Sequence, residues 1–150
     1  MTAPGTEHAG ATSADEQAIR KLAATLMAAL NRGDTREFAA HFHEDADFTN
    51  VIGIHVHGRD AIQTMHNALF TEPRTPDWPS FRNAVTTIHD TRVRLIRPDV
   101  ATVDIHWAQK GALGLDGQPW GDRRGLMNWV AVKESGQWSV AASHNMDLPR

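Results

Sequence analysis

The chain has 150 residues, a formal charge of −3 with acids and bases interspersed, nine histidines, and neither cysteine nor tyrosine. That length suits one domain with a real core, and the charge pattern argues against nucleic acid or another polyanion as partner. Missing cysteine excludes disulfides, thiol nucleophiles and thiolate metal sites, and missing tyrosine leaves any proton chemistry to His, Asp, Glu or bridging water.

The first 12 residues, MTAPGTEHAGAT, lack the basic and apolar regions of a secretory signal, so they read as a disordered lead-in. No apolar run approaches the roughly 20 residues a bilayer span needs. We therefore expect a cytoplasmic protein whose single domain occupies residues 13–150.

Ser13 with Glu16 forms a capping box for a helix running to about Asn31, and Ile19, Leu22, Leu26, Met27 and Leu30 supply its buried stripe. Asn31-Arg32-Gly33 stops that helix. Asp34 with Glu37 caps a short second one from Thr35 to about His43, buried through Phe38 and Phe42. Asp45-Ala46-Asp47 reads as a turn into a strand from Phe48 to Ile52, and Gly58-Arg59-Asp60 opens a third helix extending to Phe70. Ile62, Met65 and Leu69 form its apolar face, with His66 adjoining.

The Pro-rich stretch 71–80 is a loop. After it the apolar period changes from helical to alternating. Strands are predicted over Arg82–Arg97 with a bulge near Thr87, Val100–Gln109, Arg123–Lys133 and Gln137–Asn145. A Gly-rich loop, GALGLDGQPWGD, joins the middle pair. It opens no helix, so it is not a dinucleotide-binding fingerprint. The order describes one α+β domain without a repeat or linker.

The segments NRGD, FHEDADFTNVIG, GRDAI…H…LF, RVRLIRPDVATVDIHW and GQWSVAASHN, in that order, resemble the nuclear transport factor 2-like superfamily, and most closely its SgcJ/EcaC group, related to SnoaL-like and ketosteroid-isomerase-like proteins. The resemblance implies a cone-shaped fold: three helices in the N-terminal half packed on a curved, mostly antiparallel sheet that encloses a small-molecule pocket. Against the ketosteroid isomerase pattern, Asn50 stands where the general-base aspartate would be. Leu26 stands at the tyrosine and Asn128 at the second oxyanion-hole acid. An amide cannot remove a proton and a leucine cannot donate one, so that mechanism is not expected; the asparagines can still bind carbonyl or hydroxyl groups.

With the pocket implied, Phe48, Asn50 and Ile52 share the face that would line it. Asn50 reads either as a ligand contact or as a buried amide satisfying backbone near a bulge. His66 reads as a proton-transfer residue or as a core histidine. Adjacent strand residues point oppositely, so only one of His144 and Asn145 faces inward unless a bulge intervenes, and shared parity with Trp138, Val140 and Ala142 favours His144. Trp107, Trp129 and Trp138 read as core or pocket walls, whereas Trp78 and Trp120 sit in loops that either rim the pocket or are pinned to their own domain.

His41 and His43 diverge on a helix, and His55 and His57 read as edge histidines, so no metal site is expected. Asp104 and His106 fall on the outer sheet face, which in this superfamily commonly packs against a second subunit; a homodimer through them is expected over a catalytic dyad.

The expected function is a cofactor-independent enzyme of isomerase, dehydratase or cyclase type. Its substrate would be a hydrophobic, polyketide-like metabolite, the resemblance pointing to secondary metabolism such as enediyne biosynthesis. His66 and His144 would exchange protons; Phe48, Asn50, Ile52, Trp107, Asn128 and Asn145 would bind substrate. The alternative is a non-catalytic dimeric binding protein. Convergence of His66 and His144 on a common void would separate the two.

Overall fold

The computed structural model describes residues 4–149, with side chains from residue 14 onward. Helices α1 (Pro4–Arg32), α2 (Thr35–Ala40) and α3 (Arg59–Asn67) pack against six strands: β1 (Phe42–Thr49), β2 (His55–His57), β3 (Val85–Arg97), β4 (Val100–Lys110), β5 (Arg123–Glu134) and β6 (Gln137–Asp147). The strand order is β2-β1-β6-β5-β4-β3. The β1–β6 pair is parallel and the other neighbours are antiparallel, giving one mixed, curled sheet. The α+β cone implied by the family resemblance is the observed architecture.

Helix α1 begins before Ser13, so the Ser13–Glu16 box is not its N-terminus; the Ser13 side chain lies outside the described residues, as do those of the expected lead-in 1–12. Asp34 caps α2 as predicted, its side chain accepting the Glu37 N–H at 3.0 Å. Two sequence boundaries need correction. The chain enters β1 at Phe42, with Asp45-Ala46-Asp47 inside the strand rather than forming a turn. An irregular register against β6 between Phe42 and Asp47 accommodates the acidic stretch while Ala46 stays buried. Beyond Thr49 the chain turns through residues 50–53, so the predicted strand Phe48–Ile52 ends midway.

Polar ties fix the helices on the sheet. Arg59 donates twice to the Phe42 carbonyl, at 3.0 and 2.9 Å, and seats α3 on β1. Asp15 accepts from Lys133 Nζ and Trp138 Nε1 at 3.0 and 3.1 Å, joining α1 to β5 and β6. Asn31 bonds both backbone groups of Thr86 at 2.8 Å, locking the end of α1 to the start of β3. Between these ties lies an apolar core of Ile19, Leu26, Phe42, Ile62, Val103 and Ile105, all nearly inaccessible to solvent. Among the described residues no helix is long and apolar enough to cross a membrane.

Gly125 on β5 is required by close approach. A Cβ there would lie 1.9 Å from Trp107 Cζ2 and 2.7 Å from the Met146 carbonyl oxygen. A ring held in a wall and a backbone oxygen cannot both yield, so Gly125→Ala is expected to cost about 1–3 kcal/mol. Thermal unfolding measures this, and an unchanged Tm would show that the Trp107 ring has room to shift.

Candidate functional site

The helices and the concave side of the sheet enclose about 900 Å³ of empty space, part of it open to solvent. Aliphatic wall comes from Ala23, Leu26, Met27 and Leu30 of α1 and from Met65 and Leu69 near α3. Aromatic wall comes from Phe38, Phe42, Phe48, Trp107 and Trp129. Trp78 and Trp120 complete it from the two long loops, so both loop tryptophans do line the cavity. Arg74 stitches those loops together by donating to the carbonyls of Trp78 and Leu115 at 3.1 and 3.2 Å, and Ser80 and Leu113 exchange backbone hydrogen bonds.

His66 is 5% exposed, beside Phe38 and Phe48 with ring centroids 4.4 and 4.8 Å away. Its Nδ1 lies 2.7 Å from the Ile62 carbonyl. A carbonyl can only accept, so Nδ1 carries the proton and Nε2 is left as an acceptor. Burial pushes the imidazole pKa down to about 4, partly opposed by the Ile62 carbonyl, and the ring is neutral at pH 7.

Asn50 lines the cavity and also does what its alternative reading expected. Its Oδ1 accepts the N–H groups of Ile52 and Ile54 at 3.1 and 2.8 Å, closing the turn after β1. Its Nδ2 is left against Met65 Sδ at 3.9 Å. Phe48 is buried in the wall, and the half-open Ile52 lies at its edge.

The expectation that His144 faces inward is corrected. Val130 pairs with Ala142 and Ala131 with Val140, leaving Ala141 as an extra residue. This bulge reverses the parity of β6, so Val140 and then Ser143 are buried while His144 is exposed on the outer face. Asn145 takes the inward position, its Oδ1 accepting from Trp107 Nε1 at 2.8 Å and from the Met146 N–H at 3.1 Å. Asn128 is corrected as well. Gly125, Met127, Trp129 and Ala131 occupy the inner positions of β5, and Asn128 turns outward to donate to Asp104 at 2.6 Å. Asp104 and His106 lie on the outer face, as expected.

His55 and His57 flank Asp47 Oδ1 at 3.3 and 2.8 Å on that same outer side. Among the described residues no group of three side chains is arranged to hold a metal.

Two cavity residues escaped the sequence reading. Gln109 is buried, donates to Thr86 Oγ1 at 3.0 Å and accepts from Arg123 Nη1 at 2.6 Å. Arg123 pairs through Nη2 with Asp147 at 2.7 Å and stacks on Trp120 at 3.6 Å from the ring centroid. Both were accessible by alternation: Gln109 shares parity with Ile105 and Trp107, and Arg123 with Met127 and Trp129.

His66 makes stability pH-dependent. The unfolded chain gains a proton on this residue as pH falls through about 6.5, while the folded protein gains it only near 4. Between those values the unfolded state binds more protons, so stability decreases as pH falls. The full difference is about 3 kcal/mol. Chemical denaturation of the wild type and His66→Gln across this window should show the steeper slope in the wild type; parallel slopes would refute the assignment.

The SnoaL-like domain family matches residues 11–144. An uncharacterised protein with a cystatin-like fold from Caulobacter vibrioides aligns at TM-score 0.79 and 25% identity, covering 89% of each chain. The hexachlorocyclohexane dehydrochlorinase LinA-type3 from Novosphingobium barchaimii aligns at 0.72 and 13% identity, over 93% of this chain and 90% of that one. A ketosteroid isomerase-like protein from Erwinia carotovora atroseptica aligns at 0.68 and 17% identity, over 89% and 96%. A comparison with curated proteins finds no match. The match over most of its length shows that the chain belongs to the SnoaL-like domain family.

Proposed function

We propose that the chain binds a hydrophobic, oxygen-bearing small molecule, polyketide-like in character, within the concave cavity. One observation carries this reading: an aromatic and aliphatic wall is interrupted by Asn50, His66 and Asn145, each tied to a protein N–H or C=O through one polar atom, Oδ1, Nδ1 and Oδ1 respectively. Asn50 Nδ2 and Asn145 Nδ2 are donors for carbonyl or ether oxygens, and His66 Nε2 is an acceptor for a hydroxyl. The SgcJ/EcaC resemblance of the FHEDADFTNVIG and GQWSVAASHN segments supports a setting in secondary metabolism, of which enediyne biosynthesis is the example.

Binding is favoured over catalysis because His66 and His144 do not share a void, and no carboxylate is among the described residues lining the cavity. Turnover by cofactor-independent isomerase, dehydratase or cyclase chemistry is the second reading. It rests on the fixed tautomer of His66, which leaves Nε2 ready to accept a proton. A base with a pKa of about 4 is weak, so its substrate would need an already acidic proton, as α to a conjugated carbonyl.

Native mass spectrometry of the freshly purified protein is expected to show a small molecule retained non-covalently, and lost in the cavity-filling variant Ala23→Phe. An empty wild type that also takes up no apolar compound from an extract would overturn the binding reading. For an identified ligand, turnover abolished by His66→Gln with ligand affinity retained would instead select catalysis.

The outer face supports the expected homodimer. Arg92, Asp104, Asn128, His144, Thr49 and His55 form one lateral polar row across all six strands, and a two-fold axis would set such a row against its own copy. Sedimentation velocity should give a dimer that Asp104→Arg shifts towards monomer; a monomeric wild type at tens of micromolar would exclude it.

A further inference from the structure

No aspartate, glutamate or lysine is among the described residues lining the cavity, and the one arginine there, Arg123, is already engaged. Its Nη2 pairs with Asp147 at 2.7 Å and its Nη1 donates to Gln109 at 2.6 Å. Its guanidinium plane lies 3.6 Å from the ring centroid of Trp120, with Trp107 at 5.2 Å, so electron-rich indole faces lie against the cation. The Arg123 side chain is 4% exposed, and water competes little for these contacts. Together with Asp147 it sums to zero charge.

His66 is the other titratable group of the lining. It packs on Phe38 and Phe48, and its Nδ1–H donates to the Ile62 carbonyl. Burial keeps the ring neutral at pH 7.

A charged ligand would therefore find no counter-charge to pair with. An anion would have to draw Arg123 away from Asp147 and Gln109, and a cation would meet no carboxylate. Either ion would leave water for an apolar cup without compensation, which is costly. A neutral oxygen asks only for a hydrogen bond, and the amides of Asn50 and Asn145 are groups of that kind.

We infer that the cavity selects uncharged occupants: ring compounds bearing carbonyl, ether or hydroxyl oxygen and no ionised carboxylate, phosphate or ammonium group. This rests on the binding reading above and adds discrimination against charge of either sign. The Arg123–Asp147 pair then serves the frame and not recognition.

The test compares three compact probes of similar shape by isothermal titration calorimetry at pH 7: 2-naphthamide, 2-naphthoate and protonated 2-naphthylmethylamine. The amide is expected to bind at least about tenfold tighter than either ion, and to lose its binding in Ala23→Phe, which fills the cavity. Lowering the pH from 7 to 6 should raise the apparent affinity for the naphthoic acid about tenfold, because the protonated fraction of a carboxyl titrating near 4 rises by that factor. The amide, measured alongside, should not change and so controls for titration of the protein. Either ion binding as tightly as the amide, or an acid affinity that stays flat between pH 7 and 6, would overturn the charge selection and leave the binding reading standing. Amide binding that survives unchanged in folded Ala23→Phe would place the probe outside the cavity and overturn the inference. Binding of none of the three to folded wild type would count against the binding reading itself, and the inference would fall with it.

Discussion

The cost of burying polar groups governs this molecule. An amide or imidazole in an apolar cup loses several hydrogen bonds to water, and the loss is tolerable only where the protein supplies a partner. Four polar side chains at the cavity meet that demand with their own atoms. Asn50 is fixed by a turn, Asn145 by an indole N–H, His66 by a helix carbonyl, and Gln109 by a threonine hydroxyl and a guanidinium. The ties use Oδ1 of Asn50 and Asn145 and Nδ1 of His66, so the groups that make the cup foldable also line it.

The same demand links the cavity to the frame. Asp147, Arg123, Gln109, Thr86 and Asn31 form one continuous hydrogen-bonded chain from β6 through β5, β4 and β3 to the end of α1. This chain crosses the open side of the cone, where backbone pairing cannot hold helix to sheet. A change at Arg123 is therefore connected through hydrogen bonds to the end of α1.

Much of this was legible in the sequence. The helix stripe, the Asp34 cap, the four long strands and the outward placement of Asp104 and His106 follow from period and capping chemistry, which are local. The failures are non-local or arise from trusting an alignment over alternation. Placing Asn128 inside contradicted the inward parity of Trp129, its immediate neighbour; strict alternation alone would have turned it out. His144 failed for the opposite reason, because alternation was applied through a bulge that no single residue announces. Ala141 is small and unremarkable, and only the pairing of β6 with β5 exposes it as the extra residue.

Charge placement is the property least visible in one dimension. Arg123 begins a strand, next to Arg124, in a chain whose overall balance is slightly acidic, and only its parity with Met127 and Trp129 distinguishes the buried arginine from the exposed one. What distinguishes them is the inward parity of β5 together with the arrival of Asp147 from the end of β6 and Trp120 from the Gly-rich loop. Those partners come from two separate segments distant in sequence from Arg123. Over a Debye length of about 8 Å the near charges outweigh the distant ones, the more so where water is excluded.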